Sequence, residues 1–201
     1  RMIFMNRIKF SDLLPFLKNA LASVEAQADI PSQLICLDII SQIYLEVNQM
    51  EEAYAYGHQL YTLAKESGHH QQTANGMYGL GLICLSSGRQ AEAKHWWQDA
   101  LSLYLEIRNT DRTIDSYLGL AHVALQLGEW DESQQFLDRA YASVTSEDNL
   151  KQKWLILQVM SDLKEKTGDR DAIILYRNEI LEIAITLVNR SDILHSHLSL
   201  A

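Results

Sequence analysis

Asn48, Gly88, Gly128 and Gly168 stand forty residues apart, and each sits at the same point of a helix-turn-helix pattern. A chain with such a period is one unit repeated, a solenoid. Each unit buries its apolar side only against its neighbours, and the stack leaves a long concave surface that more often binds proteins or peptides than performs chemistry.

The registers superimpose. Eight residues before each turn stands a large apolar residue (Ile40, Leu80, Leu120, Met160), and the next position is always small (Ser41, Gly81, Ala121, Ser161). A small side chain lets a partner helix approach closely at the contact point. Beyond the turn a second small residue follows, at Ala53, Ala93, Ser133 and Ala172, as the matching half of that contact. A third slot is mixed (Gly57, Trp97, Leu137, Tyr176), and Leu60, Ala100 and Ala140 come one turn later.

Large-small, glycine turn, alanine, bulky residue, alanine: this order resembles the tetratricopeptide repeat, in a longer form of about forty residues. The resemblance covers nearly the whole chain. It departs from the family in that the aromatic of the first helix stands only at Tyr44, with Cys84, Ala124 and Lys164 in the equivalent places. The fourth copy is one residue short between Gly168 and Ala172, and Glu179 falls where a small residue is expected. HEAT-type repeats, the nearest rival of similar period, do not explain the recurring step from Gly88 to Ala93 or from Gly128 to Ser133.

The expected class is all-α, an α-α superhelix of stacked antiparallel helix pairs. Only Pro15 and Pro31 interrupt the chain, and no alternating strand pattern of useful length occurs. The spacing predicts helices at about 11–28, 33–47, 51–67, 73–87, 91–108, 112–127, 131–146, 150–167, 171–188 and 192–201. One solenoid over residues 1–201 is expected, divided into a half repeat at about 1–30, repeats at about 31–70, 71–110, 111–150 and 151–190, and the start of another at about 191–201. Both ends fall within repeats, so the reading is of a piece of a longer protein. Leu13, Leu14, Phe16, Leu17 and Leu21 are expected to face water on a helix without its partner, which implies a homodimer through the ends of the solenoid.

A formal charge of −9 and no basic stripe argue against a nucleic-acid partner. No apolar run is long enough for membrane insertion, Met2-Ile3-Phe4-Met5 is too short for a leader's apolar region, and the expected location is cytoplasmic. Cys36 and Cys84 read as buried thiols in a reducing compartment. Phosphate-loop, zinc-protease and nucleophile-elbow motifs are absent from the sequence, so no catalytic residue, cofactor or metal is expected, and the segment is read as not an enzyme. Gly76, Gly79 and Gly81 lie inside an expected helix with no strand before them, where close packing is the better use. Neither His69-His70 nor His195 with His197 supplies the ligands of a structural metal. Trp97 fits the repeat core, while Trp96 either packs on a neighbouring repeat or is an exposed anchor.

The resemblance implies that the first helix of each pair lines the concave groove. There the sequence offers Asp38, Gln42 and Glu46, then Asn75, Tyr78, Leu82 and Leu85, then Asp115, Leu118, His122 and Leu125, then Leu155, Gln158, Asp162 and Glu165. Such a groove is acidic at its ends and apolar or aromatic in its middle. The slots where related co-chaperones clamp a C-terminal carboxylate hold Asp38, Gln42, Gly79, Asp115 and Gly119, and carboxylates facing a carboxylate repel. A basic or amphipathic protein or peptide fits better, steered by Asp38, Asp115 and Asp162; the alternative is that these carboxylates merely solvate an open face. Repeats of this style resemble those of bacterial regulators that carry an output module, such as a diguanylate cyclase or a transcription factor, and those of regulators that bind a signalling peptide. The function expected is therefore a non-catalytic binding module of a larger signalling protein. A receptor for a small ligand or signalling peptide is the second reading, and an enzyme without recognisable motifs the third.

Overall fold

The computed structural model describes the backbone of residues 10–144 and 149–198, and the side chains of 12–144 and 149–188. Among the described residues there are nine α-helices and no strand: α1 (Leu14–Ala26), α2 (Ile30–Glu46), α3 (Met50–Glu66), α4 (His70–Ser86), α5 (Gln90–Glu106), α6 (Thr110–Leu127), α7 (Trp130–Ser143), α8 (Leu150–Thr167) and α9 (Arg170–Leu198). A short 3-10 turn, Phe10–Leu13, leads into α1, whose first turn takes Pro15 where no amide partner is needed.

The turns repeat at half the period read from the sequence. Gly88 (φ 75°), Gly128 (φ 77°), Gly168 (φ 82°) and Asn48 (φ 62°) are all left-handed, but so are Ala28 (φ 53°), Gly68 (φ 74°) and Arg108 (φ 57°) between them. The bonding at Gly88 shows how such a turn stops a helix: its N–H donates to the Leu85 carbonyl at 2.9 Å, and the Arg89 N–H reaches back to Cys84 at 2.8 Å. These two bonds satisfy carbonyls that the helix end would leave bare. Asp29 and Asn109 then cap the following helices by accepting from the backbone N–H groups of Ser32 (3.3 Å) and Arg112 (3.1 Å).

The chain divides into two compact units, residues 1–108 and 109–201. In the first, α1 packs on α2, α2 on α3, α3 on α4, and α4 on α5, with α2 also touching α4. In the second, α6 packs on α7 and α8, α7 on α8, and α8 on α9. Within each unit, neighbours joined by a described short turn are antiparallel, as that turn requires.

The paired small residues are the contact points of these pairs. Ser41 Oγ donates to the Ala53 carbonyl at 2.9 Å, and in the third repeat the roles reverse, with Ser133 Oγ donating to the Ala121 carbonyl at 2.8 Å. The mixed third slot is compensated across the same interface. Gly57 faces Ser41, so that a β-carbon there would lie 3.1 Å from Ser41 Oγ, whereas the indole of Trp97 faces Gly81. In the fourth repeat the shortened turn leaves Ala172 only half-buried. Glu179 is accommodated at the flank, where it accepts from Lys153 Nζ at 2.7 Å and from the Tyr141 hydroxyl at 3.2 Å.

Two expectations need correction. The sequence spacing predicts separate helices at about 171–188 and 192–201, but α9 runs unbroken from Arg170 to Leu198, because no glycine or proline stands between them to end it. At the other end, Leu21 is buried, and Leu14 and Leu17 pack with it against the core, while only Leu13 (38 % exposed) and Phe16 (73 %) face water. The helix turns its leucine face onto α2. Met2 to Met5 lie outside the described residues, as do the side chains of His195 and His197.

Candidate partner-binding face

The first helix of each pair, α2, α4, α6 and α8, carries the side chains singled out for binding. Asp38, Asn75, Tyr78, Leu82, Leu85, Asp115, Leu118, His122, Leu125 and Gln158 are half-buried, and Gln42 and Asp162 are exposed, so none is consumed by the core. Their order follows the forty-residue register: Asp38, Tyr78, Leu118 and Gln158 are equivalent positions, as are Gln42, Leu82, His122 and Asp162.

In the first unit the face is built on α2 and α4. Neither helix contains a lysine or arginine, and α2 contributes Asp38 and Glu46. Asp38 accepts from Gln42 Nε2 at 2.8 Å. Asn75 Oδ1 accepts from the Tyr104 hydroxyl at 2.7 Å and from Gln71 Nε2 at 3.1 Å, which fixes the carboxamide with its N–H groups on the opposite edge. Tyr78 leans on Trp97, ring centroids 6.1 Å apart, and its carbonyl accepts from Trp97 Nε1 at 3.2 Å.

Sequence reasoning missed two members of this face. Ile35 (61 % exposed) and Ile39 (39 %) project from α2 beside Asp38. The available signal was the register itself, since they stand forty residues before Asn75 and Gly79. The first repeat therefore carries exposed apolar groups beside the acidic ones expected at that end.

The three helical glycines divide by what surrounds them. A β-carbon on Gly76 would lie 3.0 Å from Tyr61 Cα, and one on Gly81 2.6 Å from Trp97 Nε1, so both serve close packing. Gly79 has nothing within 4 Å of that position and opens a smooth patch on the exposed side of α4. Trp96 packs edge-on against Tyr61 of the preceding helix pair, centroids 5.3 Å apart, and is not an exposed anchor.

The second unit is electrically mixed. Asp115 accepts from Gln152 Nε2 at 3.2 Å and pairs with Arg112 at 3.5 Å, beside an open cleft of about 370 Å³ lined also by Asp111, Lys151 and Leu155. Burial pushes the Asp115 carboxyl above the usual carboxylate range, against the opposing pull of Gln152 and Arg112. His122 shares a hydrogen bond of 3.0 Å with Gln126. With Lys151, Lys153, Lys164 and Lys166 on α8, the steering role expected of Asp115 and Asp162 is offset locally.

Chemistry-bearing groups elsewhere are engaged in structure. Burial pushes the Cys84 thiol up to about 11, and Cys36 is half-buried. A larger open cleft of about 480 Å³ is lined by Met50, Glu51, Tyr54, Ser87 and Arg89, and there Arg89 stacks 4.7 Å over the Tyr54 ring and bonds to Glu92 at 3.1 Å. No described helix is long and apolar enough to cross a membrane.

A family model described as the tetratricopeptide repeat matches residues 33–106. Three solved structures share the fold. BtubC from P. vanneervenii has a TM-score of 0.76 at 12 % identity, over 87 % of this chain and 73 % of that one. A putative kinesin light chain of Podosopora anserina with nearly identical TPR-like repeats has a TM-score of 0.71 at 14 % identity, over 90 % and 89 %. A Rap protein complexed with Competence and Sporulation Factor has a TM-score of 0.68 at 14 % identity, over 90 % and 60 %. No curated protein matches by sequence.

Proposed function

We propose, from the premise that residues 33–106 are tetratricopeptide repeats and that the chain as a whole has their fold, that this segment is a non-catalytic module binding an extended protein or peptide segment on its first helices. The carrying observation is the α2/α4 face: Asp38 and Glu46 with no lysine or arginine on either helix, next to the exposed Ile35 and Ile39 and the half-buried Tyr78 and Leu82. Such a face favours a basic, amphipathic segment, because its carboxylates attract cations at range and its apolar groups hold alternate side chains once the segment docks. The half-buried Asn75, its Oδ1 engaged by Tyr104 and Gln71, would donate its amide N–H groups to a ligand's main-chain carbonyl.

In this reading the module is the sensory or regulatory part of a larger bacterial signalling protein, acting in the cytoplasm, whose output lies in another domain. The likeness to a Rap protein complexed with Competence and Sporulation Factor favours a second reading, a receptor for a signalling peptide or small ligand held on the same face. A screen of displayed random peptides separates these from a face that only solvates itself. Enrichment of basic sequences with spaced apolar residues, abolished by Leu82→Glu, supports binding. Enrichment of acidic sequences, or of none, contradicts it.

A further inference from the structure

Of the three glycines in α4, one has no packing partner. A β-carbon on Gly76 would meet Tyr61 Cα at 3.0 Å and one on Gly81 would meet Trp97 Nε1 at 2.6 Å, whereas the space at Gly79 is empty to 4 Å. Gly79 stands inside the helix and outside the left-handed turns, and a helix-interior glycine is less stable than alanine. The chain gives up stability to keep this point of α4 free of a side chain.

The helix geometry places that point. Steps of three residues turn back by about 60° around an α-helix. Gly76 is packed on α3 and Leu82 lies on the half-buried face, so Gly79 falls between them, on the shoulder of α4 turned to the preceding helix pair. The first helix of that pair, α2, packs on α4.

The second unit shows the register in which neighbouring first helices meet. Gln152 of α8 donates to the Asp115 carboxylate, 37 residues earlier, at 3.2 Å and to the Asp111 carbonyl, 41 residues earlier, at 3.1 Å. Gln72 holds the equivalent place in α4. Gly79, seven residues on, lies on the same flank, because seven residues make nearly two whole turns. At those two separations the residues opposite Gly79 are Gln42 and Asp38 of α2.

Only here does the register set a bare position against a carboxylate. The Asp38 position is otherwise Tyr78, Leu118 or Gln158, and the Gly79 position is otherwise Ile39, Gly119 or Val159. Asp38 is half-buried, its Oδ1 accepts from Gln42 Nε2 at 2.8 Å, and neither α2 nor α4 carries a lysine or arginine to neutralise it.

We propose that Gly79 and Asp38 form a seat for one cationic side chain of the bound segment. Its aliphatic stem lies on the bare α4 backbone at Gly79, and its charged end pairs with the Asp38 carboxylate, which Gln42 orients. Lysine and arginine have this form, an apolar stem with a charged tip, and a carboxylate partly withdrawn from water attracts a cation more strongly than a fully hydrated one. The seat rests on the reading of this face as a receptor for a basic, amphipathic segment, and specifies where the cation goes.

The test is display of random peptides against the whole 201-residue chain and against Asp38→Lys and Gly79→Leu. The parent should enrich lysine or arginine at one fixed place relative to the apolar residues. Asp38→Lys should turn that place to aspartate or glutamate, and Gly79→Leu should lose its preference while keeping the apolar ones. Replacing the cation of one recovered peptide by alanine should weaken binding to the parent by about tenfold or more, and to Asp38→Ala by about twofold or less. Gly79→Ala should melt higher than the parent, since the added methyl meets nothing. A parent that enriches acidic peptides or none overturns the binding reading and the seat with it. A fixed cation that either display variant leaves in place, an equal loss on the parent and Asp38→Ala, or a lower melting temperature for Gly79→Ala overturns the seat alone.

Discussion

The indole of Trp97 occupies the space that a β-carbon on Gly81 would need: that atom would lie 2.6 Å from Nε1, which itself donates to the Tyr78 carbonyl at 3.2 Å. Trp97 is 1 % exposed, so its ring has nowhere to retreat. Gly81→Ala should therefore destabilise the chain by about 1–3 kcal/mol, in the range of overpacked cores. The third repeat solves the same contact with Ala121 and Leu137. Adding Trp97→Leu to Gly81→Ala should consequently cost much less than the sum of the single changes. Urea unfolding followed by circular dichroism gives the coupling; additive losses would show that the two positions do not share a contact.

Turn substitutions should act with opposite signs. Gly88 is left-handed at φ 75°, and Gly88→Ala should cost about 1 kcal/mol, because an L side chain meets the following carbonyl there. Arg108 holds φ 57° with a side chain already present, and Arg108→Gly should stabilise by roughly 0.5 kcal/mol once the greater freedom of glycine in the unfolded chain is subtracted. Urea midpoints moving the same way for both would contradict this account of the turns.

The two thiols should differ sharply. Cys84 is fully buried, with its thiol pushed up to about 11 by desolvation, while Cys36 is half-buried. Since the thiolate is the reactive form, a thiol reagent at pH 8 should modify one cysteine in the native chain and two in denaturant. Rapid modification of both without denaturant would mean that α4 opens readily.

Asp115→Asn should stabilise the chain at neutral pH. Burial raises the Asp115 carboxyl above its ordinary value of 3.8, so the folded state disfavours the ionised form, and the stability withheld at pH 7 returns as pH falls towards that value. The amide oxygen can still accept from Gln152, and the exposed Arg112 pair that is lost is worth little. The melting temperature of the variant should exceed that of the parent at pH 7, with the gap closing near pH 4. A variant that melts lower at pH 7 would contradict the sign.

The parts of this fold legible in the sequence are those set by local pattern. The glycine period marks the turns, and the small pairs mark the helix contacts, as Ser41 on Ala53 and Ser133 on Ala121 show. The turns at Ala28 and Arg108 were legible from the helix spacing, but their left-handed φ was not, because neither alanine nor arginine advertises it. The length of α9 was misread because register predicts a turn where no residue enforces one. On the binding face, Ile35 and Ile39 were missed because an isoleucine at helical spacing reads as core until the packing shows which side of α2 is covered. Likewise, the sequence alone places Asp115 in the groove but does not reveal that Gln152 and Arg112 engage it.

The account turns most on the α2/α4 face as a receptor for a cationic, amphipathic segment. The most direct measurement is fluorescence anisotropy of a labelled peptide recovered by display, titrated with the parent chain, with Asp38→Lys and with Ile39→Glu, at low and high salt. The account predicts at least a tenfold loss of affinity for either substitution, about 1.4 kcal/mol, and weaker binding to the parent as salt rises. Affinity unchanged by both substitutions and by salt would place the binding surface elsewhere and contradict it.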